Sequence, residues 1–160
     1  MIALRAVQTT DGDALHAIFT EPGVRCYLFD DVLLTREETE RHVEASIGHG
    51  GWVILQQDEL VGLTSLRPCI GGRELIIVIG ERHWGSGLAF AAARAAMRHG
   101  FDVLKLPRIL ATVDLPNERS HRLMARLGFM PTGEDEGPKY RQRTYAAVNP
   151  AASSTSSMRS

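Results

Sequence analysis

The sequence predicts an α/β fold whose first half is antiparallel, and three observations predict it. Three apolar runs, "GWVILQQ", "ELVGLTSLRP" and "RELIIVIG", follow one another with little but turn residues between them, as consecutive antiparallel strands do. Two later segments, around "GLAFAAARAAMRHG" and "PNERSHRLMARLG", carry apolar residues at helical spacing. Strand-like segments separate and follow these helices, which gives the element order β-α-α-β-β-β-α-β-α-β-β.

Each element has a local reason. "IALRAV" reads as the first strand. "TTDGDALHAIF" passes from turn and cap residues into a short helix with Leu15, Ile18 and Phe19 as its apolar side. "EPGVRCYLFDDVLL" holds Pro and Gly among large apolar groups and reads as an irregular connection. "TREETERHVEASI" opens with Thr35 and Glu38 at capping-box spacing, which predicts a second helix. The next two strands are parted by Asp58-Glu59 as a hairpin, and "RELIIVIG" is apolar enough to be buried on both faces. The third helix is expected from about Ser86 to Arg98, with Gly100 as its stop. "RILATVD" is a fifth strand, a helix capped by Asn117 runs to Gly128, and "FMPTGE" and "RQRTYAAV" complete the sheet. Residues 1–148 form one expected domain. Residues 149–160, the Ser- and Ala-rich "NPAASSTSSMRS", lack periodicity and are expected to be disordered.

Composition narrows the function classes. A chain of 160 residues with 44% hydrophobic content and a formal charge of -1 reads as one globular domain. It lacks the clustered Lys and Arg of a broad nucleic-acid surface. Cys26 and Cys69 make neither a disulfide framework nor a CxxC pair, which suits a reducing cytoplasm. No run approaches a membrane span, and "MIALRAVQTT" lacks the basic start and apolar stretch of a signal peptide. The six histidines show no paired ligand spacing, so no metal is expected.

The stretch "GERHWGSGLAFAAARAA" carries the chemistry. A helix start leaves backbone N–H groups unpaired and, with the helix dipole, favours anions. Gly85 and Gly87 remove two side chains and permit positive φ, Arg82 adds a cation, and six alanines let the helix approach the sheet. This is the composition of a pyrophosphate-binding turn; an ordinary glycine-rich connection is the bland alternative. A P-loop would place lysine where Ser86 stands, and a dinucleotide fingerprint would need glycine or alanine in place of Phe90. The pattern R/Q-x-x-G-x-G/A is matched at every fixed position by Arg82-His83-Trp84-Gly85-Ser86-Gly87.

That pattern is similar to the acetyl-coenzyme A turn of the GNAT superfamily of N-acetyltransferases. "RELIIVIGERHWGSGLAFAAARAAMRHGF" resembles the strand, turn and helix of the branch that acetylates ribosomal-protein N-termini. "LPRILATVDLPNERSHRLMARLGF" resembles the same branch's second motif, and "EPGVRCYLFDD" loosely resembles its acceptor loop. The resemblance spans about Ile2 to Ala147. It implies a mixed, mostly antiparallel sheet of six to seven strands flanked by about four helices. It also implies acetyl-CoA as co-substrate, with cofactor contacts from Ile77, Val78 and Ile79 on the strand. Arg82, His83, Trp84, Gly85, Ser86, Gly87, Leu88 and Ala89 would follow in the turn and helix start, and Asn117 on the second-motif helix.

The resemblance implies N-acetyl transfer to a primary amine, on a protein N-terminus or a small molecule, through a ternary complex. Neither cysteine has an identifiable base partner, which argues against an acyl-enzyme. A protonated amine must lose a proton before it attacks. Glu74, ten positions before Trp84, stands where this branch commonly carries a glutamate and is the expected base, through water; a solvated strand-end charge is the other reading. Many members place an acidic tyrosine seven positions after the asparagine, and here Met124 stands there. Ser120, on the inward helical face, is the substitute donor to the thiolate, or else is bonded to its own helix; Tyr140 and Tyr145 are the alternatives. Phe29, Asp30 and Asp31 either attract a cationic amine or form a solvated loop. The missing tyrosine keeps one alternative function, a non-catalytic acyl-CoA-binding sensor or interaction module. A homodimer is compatible with the sequence; no nucleic-acid or membrane partner is expected.

Overall fold

Seven strands hydrogen-bond into one sheet in the order β1-β2-β3-β4-β5-β7-β6. They are β1 (Ile2–Ala6), β2 (Trp52–Gln56), β3 (Glu59–Cys69), β4 (Gly72–Ile79), β5 (Arg108–Asp114), β6 (Met130–Glu136) and β7 (Arg141–Val148). Five helices flank them: α1 (Gly12–Phe19), α2 (Pro22–Leu28), α3 (Arg36–Gly48), α4 (Leu88–Asp102) and α5 (Glu118–Leu127). The computed structural model describes residues 2–151, and most of the expected tail lies outside them. Among the described residues no helix is long and apolar enough to cross a membrane, and no cluster of His, Cys, Asp or Glu could hold a metal ion.

Alternation along the strands sorts the core into two layers. Leu15, Phe19, Val24 and Val43 from α1–α3 pack against Val53, Leu63 and Val78 on one face of the sheet. Ala93, Ala96 and Met97 of α4 and Met124 of α5 pack against Leu66, Leu75, Ile109, Ala111 and Val113 on the other. The alanine face of α4 permits this close approach. It also explains why Gly100 does not end the helix as expected: a Cβ there would lie 2.8 Å from a Leu66 methyl and 3.0 Å from an Ile109 methyl. Gly100 is a contact point, and α4 continues to Asp102.

Two further expectations change. The segment read as an irregular connection contains α2, whose Pro22 stands in the first turn, where a proline's missing N–H costs nothing. The β2–β3 hairpin turns at Gln57 and Asp58, with φ of 50° and 64°, so Glu59 begins β3. A two-residue hairpin demands such left-handed angles at both central positions. The Thr35 capping box forms, with Glu38 N donating to Thr35 Oγ1 at 3.1 Å and Thr35 N to Glu38 Oε2 at 3.0 Å. Gly128 ends α5 at φ 89°.

Neighbouring strands run antiparallel except β4 and β5, which are parallel and joined at one pair, Glu74 with Leu110. Beyond it they diverge. β4 stays paired with β3 from Gly72 to Ile79, and β5 stays paired with β7 from Arg108 to Asp114. The gap between them therefore opens toward the C-terminal ends of β4 and β5.

Asn149, assigned by sequence to the tail, is buried and belongs to the packed structure. Its side-chain amide donates to the carbonyls of Leu106 at 2.9 Å and Phe101 at 3.3 Å, and its oxygen accepts from Ala151 N at 2.9 Å. It ties the α4–β5 loop to the end of β7. Asn149→Ala is expected to cost about 1–3 kcal/mol through the partners left unsatisfied. An unchanged denaturant midpoint would remove this tie from the account of stability.

Candidate active site

The divergence of β4 and β5 leaves a cleft of about 540 Å³. Ile77, Val78 and Ile79 form one wall and Ala111, Thr112 and Val113 the other; Asn117, Ser120 and Met124 of α5 close one side, and Tyr27 and Leu28 of α2 the other. Among the described residues, no strand pairs with the β5-facing edge of β4 from Leu75 to Ile79. A ligand amide lying along that edge would meet backbone donors and acceptors not engaged by a second strand.

The turn after β4 closes the mouth. Gly85 and Gly87 have φ of 79° and 83°, and a Cβ at either would meet nothing within 4 Å. Their glycine character thus serves the backbone conformation and leaves room for an outside group. Gly87 is the N-cap of α4 and offers no side-chain acceptor, so the helix-start donors face the cleft without an internal anion. Trp84 pins the turn back on its strand, its Nε1–H donating to Ile79 O at 2.8 Å.

The expected cofactor residues divide in two. Ile77, Val78, Ile79, His83, Trp84, Gly85, Gly87, Leu88, Ala89 and Asn117 all line the cleft. Arg82 and Ser86 do not: the Arg82 guanidinium is ion-paired with Glu59 of β3, and the Ser86 hydroxyl donates to His83 O. The cation beside the turn is instead Arg119 of α5, whose guanidinium carbon lies 3.8 Å from the Trp84 ring centroid. Sequence reading missed it because stacking onto a residue 35 positions away leaves no local signal.

Glu74 sits at the single β4–β5 junction. One carboxylate oxygen pairs with Arg67 and the other lies 3.5 Å from the hydroxyl of Thr112, which lines the cleft. One hydroxyl therefore stands between Glu74 and the cavity. Ser120 lines the cleft directly. Its backbone N–H donates to Asn117 Oδ1 at 3.3 Å, and no protein partner engages its hydroxyl among the described residues, so it is not bonded back onto its own helix.

The alternative acids are placed elsewhere. Tyr145 is buried in the core under α5, with its hydroxyl 2.6 Å from His121 Nδ1. His121 Nε2 lies 3.1 Å from the carbonyls of both Asp114 and Leu115. Carbonyls only accept, so Nε2 carries the proton and Nδ1 accepts from Tyr145. Tyr140 packs at a tilt against Tyr27, ring centroids 5.8 Å apart, without lining the cleft. Tyr27 does line it; burial, then the neighbouring Cys26, Tyr140 and Asp114, push its hydroxyl above the ordinary tyrosine value. Its place on α2 hid it from the sequence.

Asp114, at the end of β5, is 5% exposed and shares the sheet face of Thr112. Gln142 Nε2 donates to its Oδ1 at 3.1 Å. Burial pushes the Asp114 carboxyl above its ordinary value, opposed by that hydrogen bond, with Asp30 raising it further and Lys139 lowering it. In sequence, an aspartate just before Leu-Pro-Asn reads as turn chemistry. Of the acceptor-loop residues, Asp31 is ion-paired with Arg25 at 3.5 Å, and Phe29 packs edge-on against Phe19 at 5.3 Å. Those two belong to loop and core.

Comparison with known proteins matches this geometry. The family profile described as "Acetyltransferase (GNAT) domain" matches residues 2–130. The uncharacterized N-acetyltransferase p20 of Bacillus licheniformis is 27% identical over 143 residues, covering 82% of this chain and 80% of its own. The spermidine N(1)-acetyltransferase of Escherichia coli K12 is 37% identical over 75 residues, 47% of this chain and 40% of its own. The ribosomal protein uS5-alanine N-acetyltransferase of the same organism is 32% identical over 98 residues, 59% of this chain and 50% of its own. Among solved structures, a GNAT-family acetyltransferase from Bacillus anthracis superposes with a TM-score of 0.84 at 25% identity, covering 92% of this chain and 95% of that one.

The raised Asp114 carboxyl sets a pH dependence. Its neutral form is favoured in the folded state, so this contribution to stability is full below the ordinary aspartate value of about 3.9 and fades as pH rises through the folded value. Asp114→Asn keeps the Gln142 acceptor and removes the charge. Its stability relative to the parent is expected to rise over that window and to level off above it. Denaturant midpoints across pH test this; a difference independent of pH would mean that Asp114 does not titrate abnormally.

Proposed function

The chain belongs to the GNAT acetyltransferase family and is an acetyl-CoA-dependent acyltransferase, and from that premise we propose direct acetyl transfer to a primary amine within a ternary complex. The observation that carries this reading is the open edge of β4 leading to the glycine turn. From Glu74 to Ile79 the strand runs about 17 Å, long enough for an extended pantetheine arm. The backbone of Ile77–Ile79 bonds the arm's amides, and the N–H groups after Gly85 and Gly87 hold the pyrophosphate.

When bound, acetyl-CoA supplies the activated thioester; the chain's own residues orient the partners and move protons. The amine enters from the α2 side, between Tyr27 and Leu28 and the β5 residue Thr112. An amine with a lysine-like pKa of about 10.4 arrives protonated. Glu74 takes its proton through water, with the Thr112 hydroxyl at the junction of that path. The unengaged Ser120 hydroxyl donates a hydrogen bond to the departing sulfur, at the helix face where Met124 replaces the family's tyrosine. Neither Cys26 nor Cys69 lines the cleft, and burial, followed by the Glu74 charge, pushes the Cys69 thiol up. Both facts support direct transfer over an acyl-enzyme. The acceptor is a protein N-terminus or a small-molecule amine, the two classes named for the relatives above.

Gly87→Val is expected to abolish coenzyme A binding, because it opposes the left-handed angle and fills the phosphate approach. Calorimetry on the folded variant decides it, and undiminished affinity would overturn the turn's role. Glu74→Gln is expected to lower kcat by about 10²-fold or more and flatten the rise of rate with pH, with coenzyme A affinity retained. Ser120→Ala is expected to lower kcat by about 10–100-fold, the loss of one charge-assisted hydrogen bond. An unchanged rate in either variant would remove that residue from the proton path.

A further inference from the structure

The arginines of this chain divide sharply by partner. Arg5, Arg25, Arg36, Arg67 and Arg82 each meet a carboxylate. On the α4–α5 side aromatic faces take the carboxylates' place. Arg119 lies over Trp84 at 3.8 Å, and Arg126 and Arg94 lie over the same Phe90 ring at 4.5 and 5.7 Å. Among the described residues Arg122 has only Glu118, at 3.9 Å, with both side chains largely exposed. In a chain of net charge -1, this gathering of cations, of which Arg122 alone meets a carboxylate and that at 3.9 Å, is a local feature and not a general basicity. Two guanidinium groups sharing one ring repel each other until an anion arrives.

Their placement selects the anion. Arg119, Arg122 and Arg126 fall at i, i+3 and i+7 on one stripe of α5, spanning about 10 Å. All three line the mouth of the cleft beside Gly85 and Gly87. Arg119 and Arg126 rest over aromatic rings, and among the described residues no hydrogen bond or ion pair engages their guanidinium N–H groups, which leaves two forks able to meet a phosphate monoester. In the proposed site the turn's backbone donors are taken by the pyrophosphate, so the stripe, on the α5 side of the same mouth, is left for a further anion.

We propose that Arg119, Arg122 and Arg126 read the 3′-phosphate on the nucleotide end of coenzyme A, so that the enzyme selects coenzyme A over its 3′-dephospho form. This rests on the cleft being the coenzyme site. A 3′-phosphate carries close to two negative charges at neutral pH, which the backbone turn alone does not compensate.

Titration calorimetry with coenzyme A and with 3′-dephospho-coenzyme A tests this on the full chain. The parent is expected to bind coenzyme A about ten-fold or more tightly than the dephospho form, with the preference shrinking as salt rises. Arg122→Gln/Arg126→Gln, two exposed positions, is expected to lose that preference while binding dephospho-coenzyme A as the parent does. Arg126→Lys, which keeps charge without the planar fork, is expected to fall between. Equal affinity of the parent for both ligands, or equal weakening of both in the double variant, would overturn the proposal and leave the cleft's function standing. Failure of the parent to bind either ligand would overturn both.

Discussion

Past Glu74, strand β4 has a strand partner on one side only among the described residues, and the cleft exists because of that constraint. Backbone N–H and C=O groups demand partners, and interior strands normally find them on both sides. Here β3 satisfies one edge of β4 in full, while β5 turns away and pairs in full with β7. The cleft is therefore a divergence between two well-paired half-sheets and not a hole left by small side chains. Its walls are backbone held at strand precision, which suits the binding of an extended ligand rich in amides.

Packing on the two faces keeps the halves apart without loosening either. The alanine side of α4 and Gly100 bring that helix down onto Leu66 and Ile109, members of the separated strands β3 and β5. The helix bridges beneath the divergence and brings its own N-terminus to the open end. α5 docks beside it through Met124, while His121 bonds to the end of β5 and to Tyr145 of β7. One wall of the cleft thus carries the arginine stripe and the free hydroxyl of Ser120, and the other carries α2.

What was legible in the sequence was what local chemistry dictates. The Thr35–Glu38 box, the Asn117 cap, Gly128, and the paired glycines at 85 and 87 each act within a few residues of themselves, so spacing alone exposes them. The opening of β4 from β5 depends on which strand β5 prefers, a choice made by residues of β7. The contact role of Gly100 depends on Leu66 and Ile109, and the turning of Arg82 toward Glu59 on a hairpin more than 20 residues away. Asp114 and Tyr27 were passed over for the same reason. Each becomes distinctive only once burial and neighbours from other elements are in place.

The junction of α2 with the β4–α4 turn carries one more consequence. Gly23 N–H donates to the Glu81 carboxylate, and Glu81 N–H donates to Glu21 Oε1 at 3.1 Å. A Cβ at Gly23 would run into Glu81 and the Trp84 ring. The first turn of α2 is thus clasped to the segment that shapes the mouth, and substitution there would disturb both walls together. Tyr27 and Leu28, one turn farther on, face the cleft beyond this clasp. The two ends of a seven-residue helix therefore differ in tolerance: its far half can change side chains without touching the clasp, while a change in its first turn is felt at the turn after β4.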